Sequence, residues 1–313
     1  MSGWREGFSS PSGSEGVMAT DRVSKEDGAV IHGSTGAFLD EALDRIASFW
    51  KKDQLVVYLG PDIYPDPPGY PVTEGALASL LSERVAVPGR LKGKVHEIAQ
   101  YIESHKHRKT LLSLVEGIFG TGTSPAPVHR VLKEHPLGLV VDSWYGSAST
   151  EALVEPGGVQ ISGVSRAEYR DRWYRTDRRT AEGWVPAEGA TPEDRVLYRP
   201  MGTRIPGTEL LLSDADFVEV LTEIDIQTPI PAWVQEHRTG RHFLFLGCRF
   251  DNQTSRIFAR QIMKRSGMDH FAVIAGTPTG KERIFFEREG IAVLPVPLNE
   301  LFLPELLVRL RKG

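Results

Sequence analysis

Cysteine is nearly absent: Cys248 is the one cysteine in 313 residues. A lone thiol closes no intramolecular disulfide, and a cysteine-rich zinc site needs several. The scarcity fits a reducing compartment. Long apolar runs are also missing, with none near the roughly 18–20 residues of a membrane span. The first residues hold Trp4, Arg5 and Glu6 among serines and glycines, with no apolar signal-peptide core. These features lead us to expect a cytoplasmic protein with no membrane association. Charge of one sign is not in excess either. Thirty-seven basic against 41 acidic residues leave a formal net charge of −4, which gives no global reason to expect nucleic-acid binding. No internal repeat occurs, and no His/Asp/Glu spacing matches a metal site, so no metal is expected.

What is present is ordinary globular composition, 40 % hydrophobic and 25 % charged, in a chain long enough to bury a full core. Residues 1–33 are rich in Ser, Gly and charge without hydrophobic period and read as a disordered leader. Order is expected from 34 to 313, beginning with a helix capped by Ser34 or Thr35. Gln54 to Gly60, Leu137 to Val141, His242 to Gly247, Phe271 to Gly276 and Ile291 to Val296 are short, valine- and phenylalanine-rich runs. Such runs suit strands buried on both faces. Helical spacing lies between them, including a Ser213–Asp216 capping-box pattern. The expectation is an α/β fold: a Rossmann-like parallel sheet with helices on both faces. A small helical or irregular insertion is expected at about 150–200.

Four segments carry a resemblance: VVYLG with the following GYPVTEGALASLL, PAPVHRVLKEHPLGLVV (125–141), LLLSDADFVEVL (210–221) and HFLFLGCRFDNQTSRIFARQI (242–262). In this order they resemble the SIR2-like superfamily, which contains sirtuins and bacterial SIR2-domain NAD hydrolases. The resemblance implies a site for NAD or ADP-ribose at the strand ends. It also implies an asparagine after the second strand and a catalytic histidine before the Leu210 segment.

Residues at those positions are changed. The first turn reads Gly60, Pro61, Asp62: Pro61 has no N–H, and Asp62 either sets a carboxylate against a pyrophosphate or turns away as a cap. Trp144 stands at the asparagine position and offers only an indole N–H, or fills the vacated space as core. Met201 stands at the histidine position, and a thioether takes up no proton near neutrality. Asp142, Ser143 and His129 are the fallback catalytic candidates, although a histidine placed like His129 is more often structural. His96, His105 and His107 read as members of a solvated face. For cofactor contacts the candidates are Gly60, Asp62, Gly247, Asn252, Ser255, Gly276 and Thr277, the last two in the GTPTG turn after a strand.

The segment 166–179 holds six arginines interleaved with Tyr169, Trp173 and Tyr174. Read as a helix, it puts Arg172, Arg175 and Arg179 on one face, the composition of an anion or partner surface. The expectation that follows is a non-catalytic SIR2-like protein that senses a nucleotide of the NAD or ADP-ribose type, or regulates through a protein partner or a second copy of itself. The alternatives are an active NAD-consuming hydrolase and a nucleic-acid-linked module using 166–179.

Overall fold

The short apolar runs pair side by side as interior strands. The computed structural model describes residues 36–64, 69–120, 124–165, 172–223 and 230–312; the leader expected over 1–33, with its Ser34 or Thr35 cap, lies outside them. Helix α1 (Gly36–Lys51) and strand β1 (Leu55–Leu59) come first, then α2 (Glu74–Arg84), α3 (Val95–Lys106), α4 (Arg108–Phe119) and α5 (Pro127–Glu134). Next are β2 (Leu139–Asp142), α6 (Ala148–Leu153), β3 (Val159–Gly163), β4 (Tyr174–Arg179), β5 (Trp184–Ala187) and β6 (Val196–Arg199). A small ladder of β7 (Gly202–Thr203) and β8 (Glu209–Leu210) leads into α7 (Asp214–Glu223) and α8 (Ala232–Arg238). The chain closes with β9 (His242–Leu246), α9 (Gln253–Met263), β10 (His270–Val273), α10 (Gly280–Glu289), β11 (Ile291–Leu294) and α11 (Leu303–Arg311).

Among the described residues, nine strands form one sheet in the order β11-β10-β9-β1-β2-β6-β3-β4-β5. It is parallel from β11 to β3 and antiparallel at β4 and β5. Both faces are covered, so strand residues alternate between two cores. Leu55, Val57 and Leu59 of β1 face one core with α1, α2, α3 and α11. Val56 and Tyr58 face the other with α9 and α10. Continuous apolar runs follow from this two-sided burial.

Helix ends use the expected chemistry. Thr73 caps α2 by accepting the Ala76 N–H at 3.1 Å. Ser213 and Asp216 satisfy each other's backbone N–H groups, Ser213 N donating to Asp216 Oδ2 at 3.0 Å and Asp216 N to Ser213 Oγ at 3.4 Å. Thr279 and Glu282 make the same reciprocal pair on α10.

Within 150–200, Val159–Gly163 and Val196–Arg199 are strands, as their apolar runs suggest, and lie inside the sheet as β3 and β6; the correction is β4–β5, an antiparallel hairpin that extends the sheet where a helical or irregular insertion was expected. Residues 166–171 lie outside the described part, but Arg175 and Arg179 sit on a strand, not on the face of a helix. The open edge of β3 offers a backbone ladder, which overrides the helical spacing of the arginines. These arginines are also engaged. Arg178 grips both carboxylate oxygens of Asp194 at 2.8 Å, Arg175 lies 2.8 Å from Asp177, and Arg179 donates to the Val154 carbonyl at 2.6 Å.

Strand β1 leads to β2 on one side, whereas β9 returns to lie on its other side. The connections after β1 and β9 therefore diverge, and a crevice opens at the carboxyl ends of these strands.

Candidate functional site

Three turns meet over that crevice, after β1, β2 and β9. The first and last are locked together. The Gly60 N–H donates to the Leu246 carbonyl at 2.9 Å and the Asp62 N–H to the Gly247 carbonyl at 3.0 Å. A Cβ at Gly60 would stand 2.3 Å from the Gly247 oxygen, and Gly247 has φ +63° with Ile63 N 2.5 Å from where its Cβ would be. Glycine is required at both places for backbone to meet backbone. The donors that a phosphate would use in this turn are bonded to protein carbonyls, and Pro61 has none.

The resulting cleft has a volume of about 140 Å³ and opens to solvent. Its walls are the Gly60–Asp62 turn, the start of α2, Ser143 to Tyr145, Met201, and the segment from Cys248 to Ser255. Burial pushes the Cys248 thiol well up, with the nearby Asp62 and Asp142 carboxylates adding to it, so it is held as a neutral thiol.

Three carboxylates, Asp62, Glu74 and Asp251, stand in the lining. Burial raises the Asp62 pKa to about 6, against the pull of Arg249, with Asp251 and Glu282 adding to the rise. Glu74, at the first position of α2, accepts the side-chain N–H of Asn252 at 2.7 Å and so ties α2 to the cap of α9. Arg249 could have balanced this charge. It is instead held by the buried Glu282, with Nε at 2.9 Å and a terminal nitrogen at 3.0 Å.

His96 enters the cleft from α3, a correction to the solvated-face expectation that His105 and His107, both exposed, do meet. Its Nδ1 lies 2.9 Å from the Leu212 carbonyl and therefore carries the proton donated there. Its Nε2 is buried without a hydrogen-bond partner, 3.8 Å from Glu74. Burial alone would lower its pKa, but Glu74, the Leu212 carbonyl and Asp214 together raise it above the ordinary histidine value.

The fold gathers many of the sequence candidates here. Gly60, Asp62, Asn252, Ser255 and Ser143 line the cleft, as do Trp144 and Met201. Gly247 lies directly beneath, packed on Ile63. Asn252 caps α9 by accepting the Ser255 N–H at 2.8 Å, and Ser143 donates to the Leu59 carbonyl at 3.0 Å. Trp144 is a core residue whose indole N–H donates to the Pro71 carbonyl at 3.0 Å.

Gly276 and Thr277 are exposed at the end of β10 and are not among the cleft-lining residues. Asp142 and His129 are buried and likewise absent from the lining. Asp142 accepts the Trp144 N–H at 2.9 Å and lies 3.6 Å from the fully buried Arg199, which in turn donates to the Trp144 carbonyl at 2.5 Å. The pair fixes the backbone of Trp144 from beneath. His129 accepts the Ala126 N–H through Nδ1 at 2.9 Å, so its proton is on Nε2, facing Ser149 Oγ at 2.9 Å. Burial lowers its pKa to about 4, which keeps it neutral.

The sequence placed His96 on a solvated face and did not single out Glu74 or Arg249 as site residues. No local signal marks His96, because its partners Leu212 and Phe217 are more than a hundred residues away and are brought by α7. Glu74 was legible only as an acid in the first turn of a helix.

Among the described residues no three His, Cys, Asp or Glu side chains gather as a metal site, and no helix is long and apolar enough to cross a membrane. Comparison with known families gives one match: the model of the SIR2-like domain covers residues 157–294, from the entry to β3 to the end of β11. No curated protein matches the sequence.

Proposed function

From the premise that the match over 157–294 assigns this chain to the SIR2-like superfamily, we propose that it holds a nucleotide-type ligand of the NAD or ADP-ribose kind in the switch-point cleft without cleaving it. One observation carries this reading. Trp144 and Met201, the residues at the positions where the resemblance expects an amide and a histidine, both line the same cleft. An indole N–H bonded to Pro71 orients no water, and a thioether accepts no proton.

In this reading the ligand acts as a signal, and a protein partner or a second copy of the chain receives it. Cytoplasmic residence belongs to the same proposal. Asp142 and His129, the fallback catalytic residues, are engaged below the cleft and support the hydrolase alternative poorly. The hairpin arginines are paired to acids and carbonyls, which weakens the nucleic-acid alternative.

The test is NAD turnover by the purified chain, followed as nicotinamide release. Turnover no higher than that of a heat-denatured sample is expected. Release well above that control would overturn the non-catalytic reading.

A further inference from the structure

The end of the sheet away from the cleft, where β9 and β10 begin, holds two histidines with no part in that site. His242 is the first residue of β9 and His270 the first of β10. Their rings are bonded crosswise. Nδ1 of His270 accepts the Phe243 N–H at 3.0 Å, and Nδ1 of His242 accepts the Asp269 N–H at 3.2 Å. Each ring thus serves a backbone donor beside the other histidine, which requires both to be neutral with the proton on Nε2. That proton of His270 points to Ser266 Oγ at 3.3 Å.

The surroundings oppose a charged ring. His270 is buried next to Ile291 of β11, with Phe243 edge-on to it. His242 stacks on Phe49 of α1 at 3.9 Å, and a Cβ at Gly267 would lie 2.8 Å from its ring. The charged groups that act on the pair are Asp269 and Arg45 of α1, which are ion-paired with each other at 2.5 Å. Arg241, next to His242 in the chain, turns to Asp53. Burial lowers the His270 pKa to about 4, with His242 adding to the fall and Asp269 opposing it. Burial also lowers that of His242, against Asp269 and together with Arg45.

We infer that His242 and His270 form a reciprocal latch that fixes the start of β10 to β9 while both rings are neutral and releases it in acid. A proton on Nδ1 turns the acceptor into a donor, so ring N–H meets backbone N–H and the bond fails. The stability from the latch is complete above the ordinary histidine value of about 6.5 and is lost as pH falls toward about 4. The same two strands carry one cleft wall at their other ends. β9 runs into the segment from Cys248 to Ser255, and β10 leads to α10, whose Glu282 holds Arg249 at 2.9 Å and the Phe250 N–H at 3.2 Å. The latch does not depend on what the cleft binds.

The experiment is residue-resolved amide hydrogen exchange of the full-length chain at pH 7 and pH 4.5, each rate expressed relative to its intrinsic value. Protection of the Phe243 and Asp269 amides is expected to fall about tenfold or more, because the opened form takes up protons at the ordinary histidine value. In the double variant His242→Asn, His270→Asn, a carboxamide oxygen accepts where Nδ1 did and does not titrate, so the fall is expected to shrink to less than about threefold. Protection at 243 and 269 that is the same at both pH values in the parent would overturn the latch, and this comparison stands even where the variant fails to fold. An equal fall in parent and folded variant would overturn it as well, by removing the two rings as the cause.

Discussion

Gly60 and Gly247 meet backbone to backbone: a Cβ on the first would lie 2.3 Å from the carbonyl oxygen of the second. This contact joins the turns after β1 and β9 at the point where the strand order reverses. Any side chain at 60 must push the Gly247 carbonyl aside, and any at 247 also meets φ +63°. Gly60→Ala and Gly247→Ala are each expected to cost about 2 kcal/mol or more, measured by urea unfolding. A loss under about 0.5 kcal/mol would show that the two turns separate freely.

Asp62 makes stability fall with rising pH. Its folded-state pKa is raised from 3.8 to about 6, so its contribution is fully present below the unfolded value and lost as pH climbs through about 6. Asp62→Asn is therefore expected to melt higher than the parent at pH 7.5 and equal to it near pH 3.5. An unchanged difference between these pH values would remove burial as the cause.

His96 works in the opposite sense to a buried neutral histidine. Its pKa is raised, chiefly by Glu74 working against burial. The stability it contributes is present below the unfolded histidine value and disappears as pH rises through the folded one. His96→Gln is expected to destabilise clearly at pH 5.5 and little at pH 9. Glu74→Gln should abolish that pH dependence. Parallel melting curves for parent and His96→Gln across this range would contradict the Glu74 coupling.

Asp142 is expected to show itself in stability rather than turnover. It is buried beside Arg199 and holds the Trp144 N–H. Asp142→Ala leaves a buried guanidinium without its carboxylate, a change that costs about 3–5 kcal/mol. A variant that unfolds at the parental urea midpoint would show that this pair fixes nothing.

The β4–β5 hairpin bears on nucleic acid. Its arginines at 175, 178 and 179 are held by Asp177, Asp194 and the Val154 carbonyl. No measurable binding of single- or double-stranded DNA or RNA is expected at about 0.15 M salt, by fluorescence anisotropy. Binding that weakens steeply with added salt would restore that function.

The sequence by itself determined the sheet's interior and the helix ends. Runs such as Leu55–Leu59 and Phe243–Leu246 are apolar or aromatic at every step because helices cover both faces, and burial of that kind can be read without coordinates. Thr73, Ser213 and Asn252 cap helices through bonds that span three residues, so their roles are local. The tertiary structure alone decided where the arginines of β4 went, because the open edge of β3 overruled their helical spacing. It also decided the polarity of the cleft. His96 meets Glu74 and Leu212, Arg249 meets Glu282, and Glu74 meets Asn252 only after α3, α7 and α9 are brought against β1. Charge pairing across such sequence distances depends on which elements pack together, and no periodicity along the chain encodes it.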